Sequence, residues 1–184
     1  RRQRQMCIRD RLSTISPGLV ERIAAAGSER GVAVMDVPVS GSIAQREEGT
    51  LTAMAGGDAL VLERVRPVLE TFAGRIIHVG PIGAGATVKL INNLTVASHN
   101  VAAMEALVLG VKAGLDVDTL REVISVSSGA SRAFDSISHH VMNVSATPPD
   151  GSLARQGLHT LIKDVGLASE LARQHEVPSV SYTH

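Results

Sequence analysis

Apolar positions recur first with a helical period, then in short strand-like runs, and finally over long helical stretches. In "LSTISPGLVERIAAAGSERG", Leu19, Ile23 and Ala26 share one face behind Ser16 as a candidate N-cap and Pro17 at the first helical position, predicting a helix over 17–29. Gly31 follows it. "VAVMDVPVS" (32–40) is a β-branched apolar run that suits a strand buried on both faces of an α/β sheet, with Pro38 placing its end near an edge or loop. "TLTAMAGG" (50–57) alternates as a second strand. Asp58 then caps the helix of "ALVLERVRPVLETFAG", which Pro67 must kink or restart, and "RIIHVG" (75–80) is a third strand. Strands alternating with helices indicate an α/β layer.

The pattern changes after residue 81. From Ala84 to Leu115 there is no proline and only Gly85, Gly110 and Gly114, so the spacing predicts a helix of roughly 28 residues, about 42 Å long. Gly114 is its expected C′ residue, and Asp116 or Asp118 caps a helix through "TLREVISVS". "SRAFDSISHHVMN", the loop "ATPPDGS" and "LHTLIKDVGLASELARQHE" complete an all-α portion. The expected fold class is therefore α/β followed by all-α.

Composition narrows the function classes. With 44% apolar and 20% charged residues, one Tyr, two Phe and no Trp, the chain reads as an ordinary globular protein with little base-stacking surface. A formal net charge of zero gives no global field for nucleic acid or an anionic membrane. No apolar run reaches the length a bilayer requires, so a cytoplasmic protein with neither nucleic-acid nor membrane partner is expected. The single Cys7 excludes an internal disulfide framework and a cysteine metal cage. Residues 1–11 hold five Arg and one Asp, against 13 basic and 17 acidic residues elsewhere. This arm lacks the apolar region of a secretory signal and the amphipathic pattern of a transit peptide. It resembles translated sequencing-adapter sequence, as does "SVSYTH" at 179–184, so both are expected to be non-native and the chain a fragment.

Chemistry concentrates in "GPIGAGATVKLINN" (80–93). Lys89 lies in the first turn or two of the long helix, where the macrodipole disfavours a cation by up to about 1 kcal/mol. Asn92 and Asn93 each cost several tenths of a kcal/mol relative to Ala inside a helix. Lys89 and Asn93 are spaced i, i+4 and leave one face. A partly desolvated lysine at a helix N-terminus suits proton transfer, and a neighbouring Asn can orient a carbonyl or hydroxyl. The alternative is a solvated lysine beside an Asn pair that caps or kinks the helix. In "DVPVSGSIAQREEGT" (36–50), Ser40-Gly41-Ser42 places hydroxyls and backbone N–H groups at the carboxyl edge of a sheet, where anions bind in open α/β folds; the alternative is an ordinary polar loop. Asp135 pairs at i+4 with His139 but not with the adjacent His140, which favours a solvated face over a metal site, and no metal is expected. Met35, Met54, Met104 and Met142 read as core fillers.

"STISP" (13–17), "DVPVSGS" with "EGTLTAMAGG" (36–57), "HVGPIGAGATVKLINN" (78–93) and "KDVGLA" (163–168) occur in this order and together resemble the β-hydroxyacid dehydrogenases, of the 3-hydroxyisobutyrate dehydrogenase and tartronate semialdehyde reductase type. The most specific element is Gly83-x-Gly85-x-x-x-Lys89-x-x-Asn92-Asn93. The resemblance implies an NAD- or NADP-dependent oxidoreductase that interconverts a short 3-hydroxy acid and its semialdehyde, with the active site between the two domains. Lys89 would be the general acid/base. Ser40, Gly41 and Ser42 would hold the substrate carboxylate, Asn93 would bond the substrate near the reacting carbon, and Thr14 and Lys163 would meet the cofactor, with Asp164 structural. Ser42 departs from the family's usual Ser-Gly-Gly. The resemblance also implies a homodimer or homotetramer at full length through the apolar face of the long helix. It divides the chain into 12–81, the remaining part of a Rossmann-type NAD(P)-binding domain, and 82–178, a helical domain, joined by a long interdomain helix. No G-x-G-x-x-G turn precedes a helix near the N-terminus, so the chain is expected to bind cofactor poorly and to be inactive alone. A non-catalytic binding or assembly module of this fold is the alternative. An imine-reductase-like relative is a third reading, disfavoured because such enzymes generally lack this lysine.

Overall fold

The computed structural model describes residues 14–142 and 152–178. The expectations placed on 1–11, Cys7, the loop residues 146–151 and 179–184 lie outside the described residues, as do the side chains of His140 and Met142. The chain forms two compact units that divide between Ile91 and Asn92.

The first unit opens with α1 (Pro17–Ser28), which has Pro17 in its first turn and Ser16 as N-cap residue, although the Ser16 side chain makes no capping bond. Three strands follow, β1 (Val39–Ser40), β2 (Leu51–Gly56) and β3 (Ala73–Gly80), in the order β1-β2-β3. β2 and β3 are parallel, and β1 is antiparallel to β2. The long strand expected over 32–40 is not formed: only Val39–Ser40 is regular, with an isolated antiparallel bridge at Asp36–Gly56. Proline explains the break. In the register that pairs Asp36 with Gly56, Pro38 accepts from Met54 N at 2.9 Å but has no N–H to return. Residues 37–40 are also only half-buried, not buried on both faces.

Between β1 and β2, Ser42 caps a five-residue helix, α2 (Ile43–Glu47), through a capping box with Gln45. α3 (Ala59–Leu69) starts on Asp58, whose carboxylate accepts from Leu60 N at 2.7 Å and Val61 N at 3.1 Å. It runs through Pro67 and ends two residues later. Ala55, Leu62, Val65 and Leu69 form the core of this unit, with Met35, Val37, Phe72 and Ile76 packed around them.

α4 (Ala84–Lys112) has 29 residues and spans the division between the units. It ends in a Schellman motif: Leu115 N donates to Gly110 O at 3.0 Å, Gly114 N donates to Val111 O at 3.0 Å, and Gly114 has φ 84°. Asp116, not Asp118, caps α5 (Val117–Ser125) by accepting from Thr119 N at 2.9 Å. α6 (Arg132–Met142) and α7 (Ser152–Gln174) complete the second unit. Its core joins Ala103, Leu107 and Phe134, with Val117, Ile124, Ala133 and Ile137 against them.

Two expectations about α4 change. Met104 is exposed, so it is not a core filler, and it joins Val96, Val101, Val108 and Leu109 as exposed apolar positions. The helix is also long and apolar enough, by length and composition, to cross a bilayer, contrary to the expectation that no run reaches that length. Its apolar residues are interleaved with Asn92, Asn93, His99 and Asn100, which hides the length in a reading of uninterrupted runs.

Candidate active site

The start of α4 is built on a carboxylate from far upstream. Asp36 is buried, and its two oxygens accept from Gly83 N at 2.8 Å and Ala86 N at 2.7 Å. These belong to the N–H groups that a helix start leaves without intrahelical partners, and the positive end of the helix dipole lies there. Burial pushes the Asp36 carboxyl above its ordinary value, and the backbone N–H groups of Ala86, Gly83, Asp36 and Gly85 pull it back.

The glycines of the G-x-G element are explained by this seat. A Cβ at Gly85 would lie 2.5 Å from Met54 O and 2.7 Å from Asp36 O, and one at Gly56 would overlap Asp36 Oδ1 and sit 2.7 Å from Gly85 N. Gly83 has φ 87°, in the left-handed region. Gly85 thus serves the close fit of the helix start against β2 and Asp36, and Gly83 the left-handed backbone turn that leads into it. The pair lacks the third glycine of a pyrophosphate-binding turn, Val88 standing at that position.

Lys89 is the sixth residue of α4, half-buried, four residues beyond Gly85 and just before the fully buried Leu90. Ser40 lies on β1 and is half-buried, while Gly41 and Ser42 are exposed. The Ser42 hydroxyl accepts from Gln45 N at 3.2 Å, and Ser42 N donates to Gln45 Oε1 at 3.0 Å, so Ser42 closes a helix end. A Cβ at Gly41 would lie 2.5 Å from the Leu51 Cδ2 methyl, so the Leu51 side chain would have to shift to admit one. Thr14 is half-buried, just ahead of α1.

In the second unit, Asn93 and Lys163 meet on Asp164. Asp164 is fully buried, and its Oδ2 accepts from Asn93 Nδ2 at 2.5 Å. A carboxylate only accepts, which fixes the orientation of the Asn93 amide, and Asn93 Oδ1 accepts from Asn92 Nδ2 at 3.1 Å. Lys163 Nζ comes within 2.8 Å of Asp164 Oδ1. The approach is an ion pair without hydrogen-bond alignment, since Oδ1 is buried with no aligned donor. The two residues are neighbours on one helix, which restricts the angle. Asp135, considered with His139 as a metal pair, instead accepts from Ser125 Oγ at 2.7 Å.

Asp36 and Asn92 were not singled out for these roles by sequence reasoning. For Asp36 a signal existed: an acid inside the apolar run "VAVMDVPV" needs a partner.

Comparison with known proteins adds the family. A family model described as NAD-binding of NADP-dependent 3-hydroxyisobutyrate dehydrogenase matches residues 83–183, and one described as the NAD binding domain of 6-phosphogluconate dehydrogenase matches residues 5–80. The chain belongs to the β-hydroxyacid dehydrogenase family. It is 39% identical over 168 residues to the 2-(hydroxymethyl)glutarate dehydrogenase of Eubacterium barkeri, covering 91% of this chain and 54% of that protein. With the NAD-dependent L-serine dehydrogenase of Pseudomonas aeruginosa it shares 40% over 162 residues, 88% of this chain and 54% of that one. The crystal structure of 3-hydroxyisobutyrate dehydrogenase from Salmonella typhimurium has a TM-score of 0.80 at 32% identity, covering 93% of this chain and 59% of that one. The chain thus spans about half the length of the curated relatives it matches. Within this chain, β1 to β3 and their helices are part of a Rossmann-type sheet, and a helical domain follows α4.

Proposed function

We propose that this chain supplies the proton-transfer and substrate-holding residues for NAD(P)-dependent oxidation of a short 3-hydroxy acid to its semialdehyde, and for the reverse reduction. The observation that carries the reading is the position of Lys89 in a chain of this family: a half-buried lysine near the positive end of a helix, where the helix dipole works against a cation. In oxidation the Lys89 amine takes the hydroxyl proton, and in reduction the ammonium returns it to the carbonyl oxygen. The nicotinamide, when bound, exchanges the hydride. Ser40 Oγ and Gly41 N–H hold the substrate carboxylate in this reading. The Ser42 hydroxyl and N–H are committed to Gln45, so Ser42 contributes by shaping the turn.

Asn93 sits one helical turn beyond Lys89 on α4 and keeps one amide hydrogen and one carbonyl lone pair beyond its bonds to Asp164 and Asn92. Those are the atoms that orient the substrate hydroxyl. Thr14 and Lys163 serve the nicotinamide side. The names of the relatives support the substrate class: 2-(hydroxymethyl)glutarate, L-serine and 3-hydroxyisobutyrate each carry a hydroxymethyl group on a carbon that also bears a carboxylate or a carboxylate-bearing arm. The exposed apolar positions Val101, Met104 and Val108 on α4 support a homodimer or homotetramer. The domain division at 81/82 and cytoplasmic residence belong to the same reading.

Because Gly83 and Gly85 belong to the start of α4 and no G-x-G-x-x-G turn precedes a helix near the N-terminus, the 184-residue chain alone is expected to turn over NAD(P)H negligibly with short semialdehydes. Robust turnover by the purified chain would overturn this part of the reading.

A further inference from the structure

Asp36 connects the two segments of the first unit that carry the proposed chemistry. Four residues after it along the chain is Ser40, held in register by the Asp36–Gly56 bridge and the Ser40–Thr52 pair. Its side chain meanwhile grips α4 by two N–H groups three residues apart, those of Gly83 and Ala86. Two contacts at different points of one turn resist both sliding and rotation of the helix, which a single cap does not. A local cap is not available for this purpose. Gly83, the residue before Ala84, has φ 87°, where any side-chain-bearing residue is strained.

We propose that Asp36 is a positioning residue for Lys89, fixing the first turn of α4 against the strand segment that ends in Ser40. Lys89 lies three residues past Ala86, about 4.5 Å along the axis, and four past Gly85, on the face that packs against Met54 O and Asp36. The absence of a Cβ at Gly56 and Gly85 leaves space for the carboxylate and holds it closely. This assignment rests on the proton-transfer reading for its functional meaning, whereas the positional claim is tested without turnover.

The test compares the 184-residue chain with its Asp36→Asn variant by amide hydrogen exchange and by reductive methylation of lysines, with the exposed Lys112 as internal reference. Asn keeps one acceptor and turns an amide donor toward the second N–H. Exchange at Gly83 or Ala86 is expected to accelerate by about tenfold, the factor for one lost charge-assisted hydrogen bond. Methylation of Lys89 relative to Lys112 is expected to rise severalfold. Faster exchange with an unchanged Lys89 ratio overturns the proposal, because Asp36 would then only cap the helix; no change in either also overturns it. If Asp36→Asn does not fold, Gly85→Ala displaces the same turn with the carboxylate intact, and an unchanged Lys89 ratio there is equally fatal. Turnover of Lys89→Ala in a full-length homologue does not enter these readouts, so loss of the proton-transfer reading would leave the positional result standing.

Discussion

Gly85→Ala sets two effects of opposite sign against each other. In a helix, alanine is favoured over glycine by about 1 kcal/mol, so propensity alone predicts stabilisation. The structure predicts the reverse. The added Cβ would sit 2.5 Å from Met54 O, roughly 0.9 Å inside the 3.4 Å of an ordinary contact, and 2.9 Å from Asp36 Oδ2. Met54 lies inside β2, so its carbonyl cannot move without disturbing the sheet, and the helix start must move instead. Overpacking of this kind costs about 1–3 kcal/mol, and loss of the Asp36–Ala86 bond adds about 1.5–3 kcal/mol. The net expectation is a loss of about 3 kcal/mol, a fall of roughly 1–2 M in the urea midpoint of the first unit. Gly166→Ala in α7 is the control, since nothing lies within 4 Å of its Cβ position. It should stabilise the second unit by about 0.5–1 kcal/mol. Urea titration followed by amide signals assigned to each unit measures both. A rise in midpoint for Gly85→Ala, parallel to Gly166→Ala, would show that the helix start is not seated on Met54 and Asp36.

Three further outcomes follow from other contacts. Asp58→Ala removes the acceptor for Leu60 N and Val61 N and should destabilise the first unit by about 1 kcal/mol, read by urea titration; an unchanged midpoint would contradict the cap. Leu62→Ala, at a 2% exposed core position, should cost about 2–5 kcal/mol, and a loss under 1 kcal/mol would contradict the assigned core. Burial raises the Asp36 carboxyl in the folded chain, so the folded state holds its proton to higher pH than the unfolded state does. The stability this contributes is complete below the ordinary value of 3.8 and is lost as pH rises through the raised value. The stability of the wild type relative to Asp36→Asn should therefore increase as pH falls from 7 toward 4, and a relative decrease would contradict the direction.

Features set by local chemistry were legible in the sequence. Pro17, Asp58, Gly114 and Asp116 announce helix ends because their bonds fall within a few residues, and each acts as a terminus residue in the structure. The switch from alternating elements to long helices at residue 81 was legible for the same reason. The β-branched run at 32–40 misled, because its pairing depends on a strand after it and Pro38 withdraws one bond from the ladder. Ser42-x-x-Gln45 is a local capping box, so its two bonds are written within four residues of the sequence. The acid inside an apolar run shows that Asp36 needs a partner, but which partner was not legible, since Gly83 and Ala86 lie 47 and 50 residues away. The reason for Gly85 was invisible for the same cause: its constraint is the Met54 carbonyl of β2 together with the carbonyl and carboxylate of Asp36.

Proton transfer by Lys89 is tested by an alanine substitution at the corresponding lysine of a full-length homologue. Steady-state oxidation of a hydroxymethyl acid should lose about 10²–10⁴-fold in kcat while the fold, read by circular dichroism, is retained. Turnover unchanged from the parent enzyme would contradict the account.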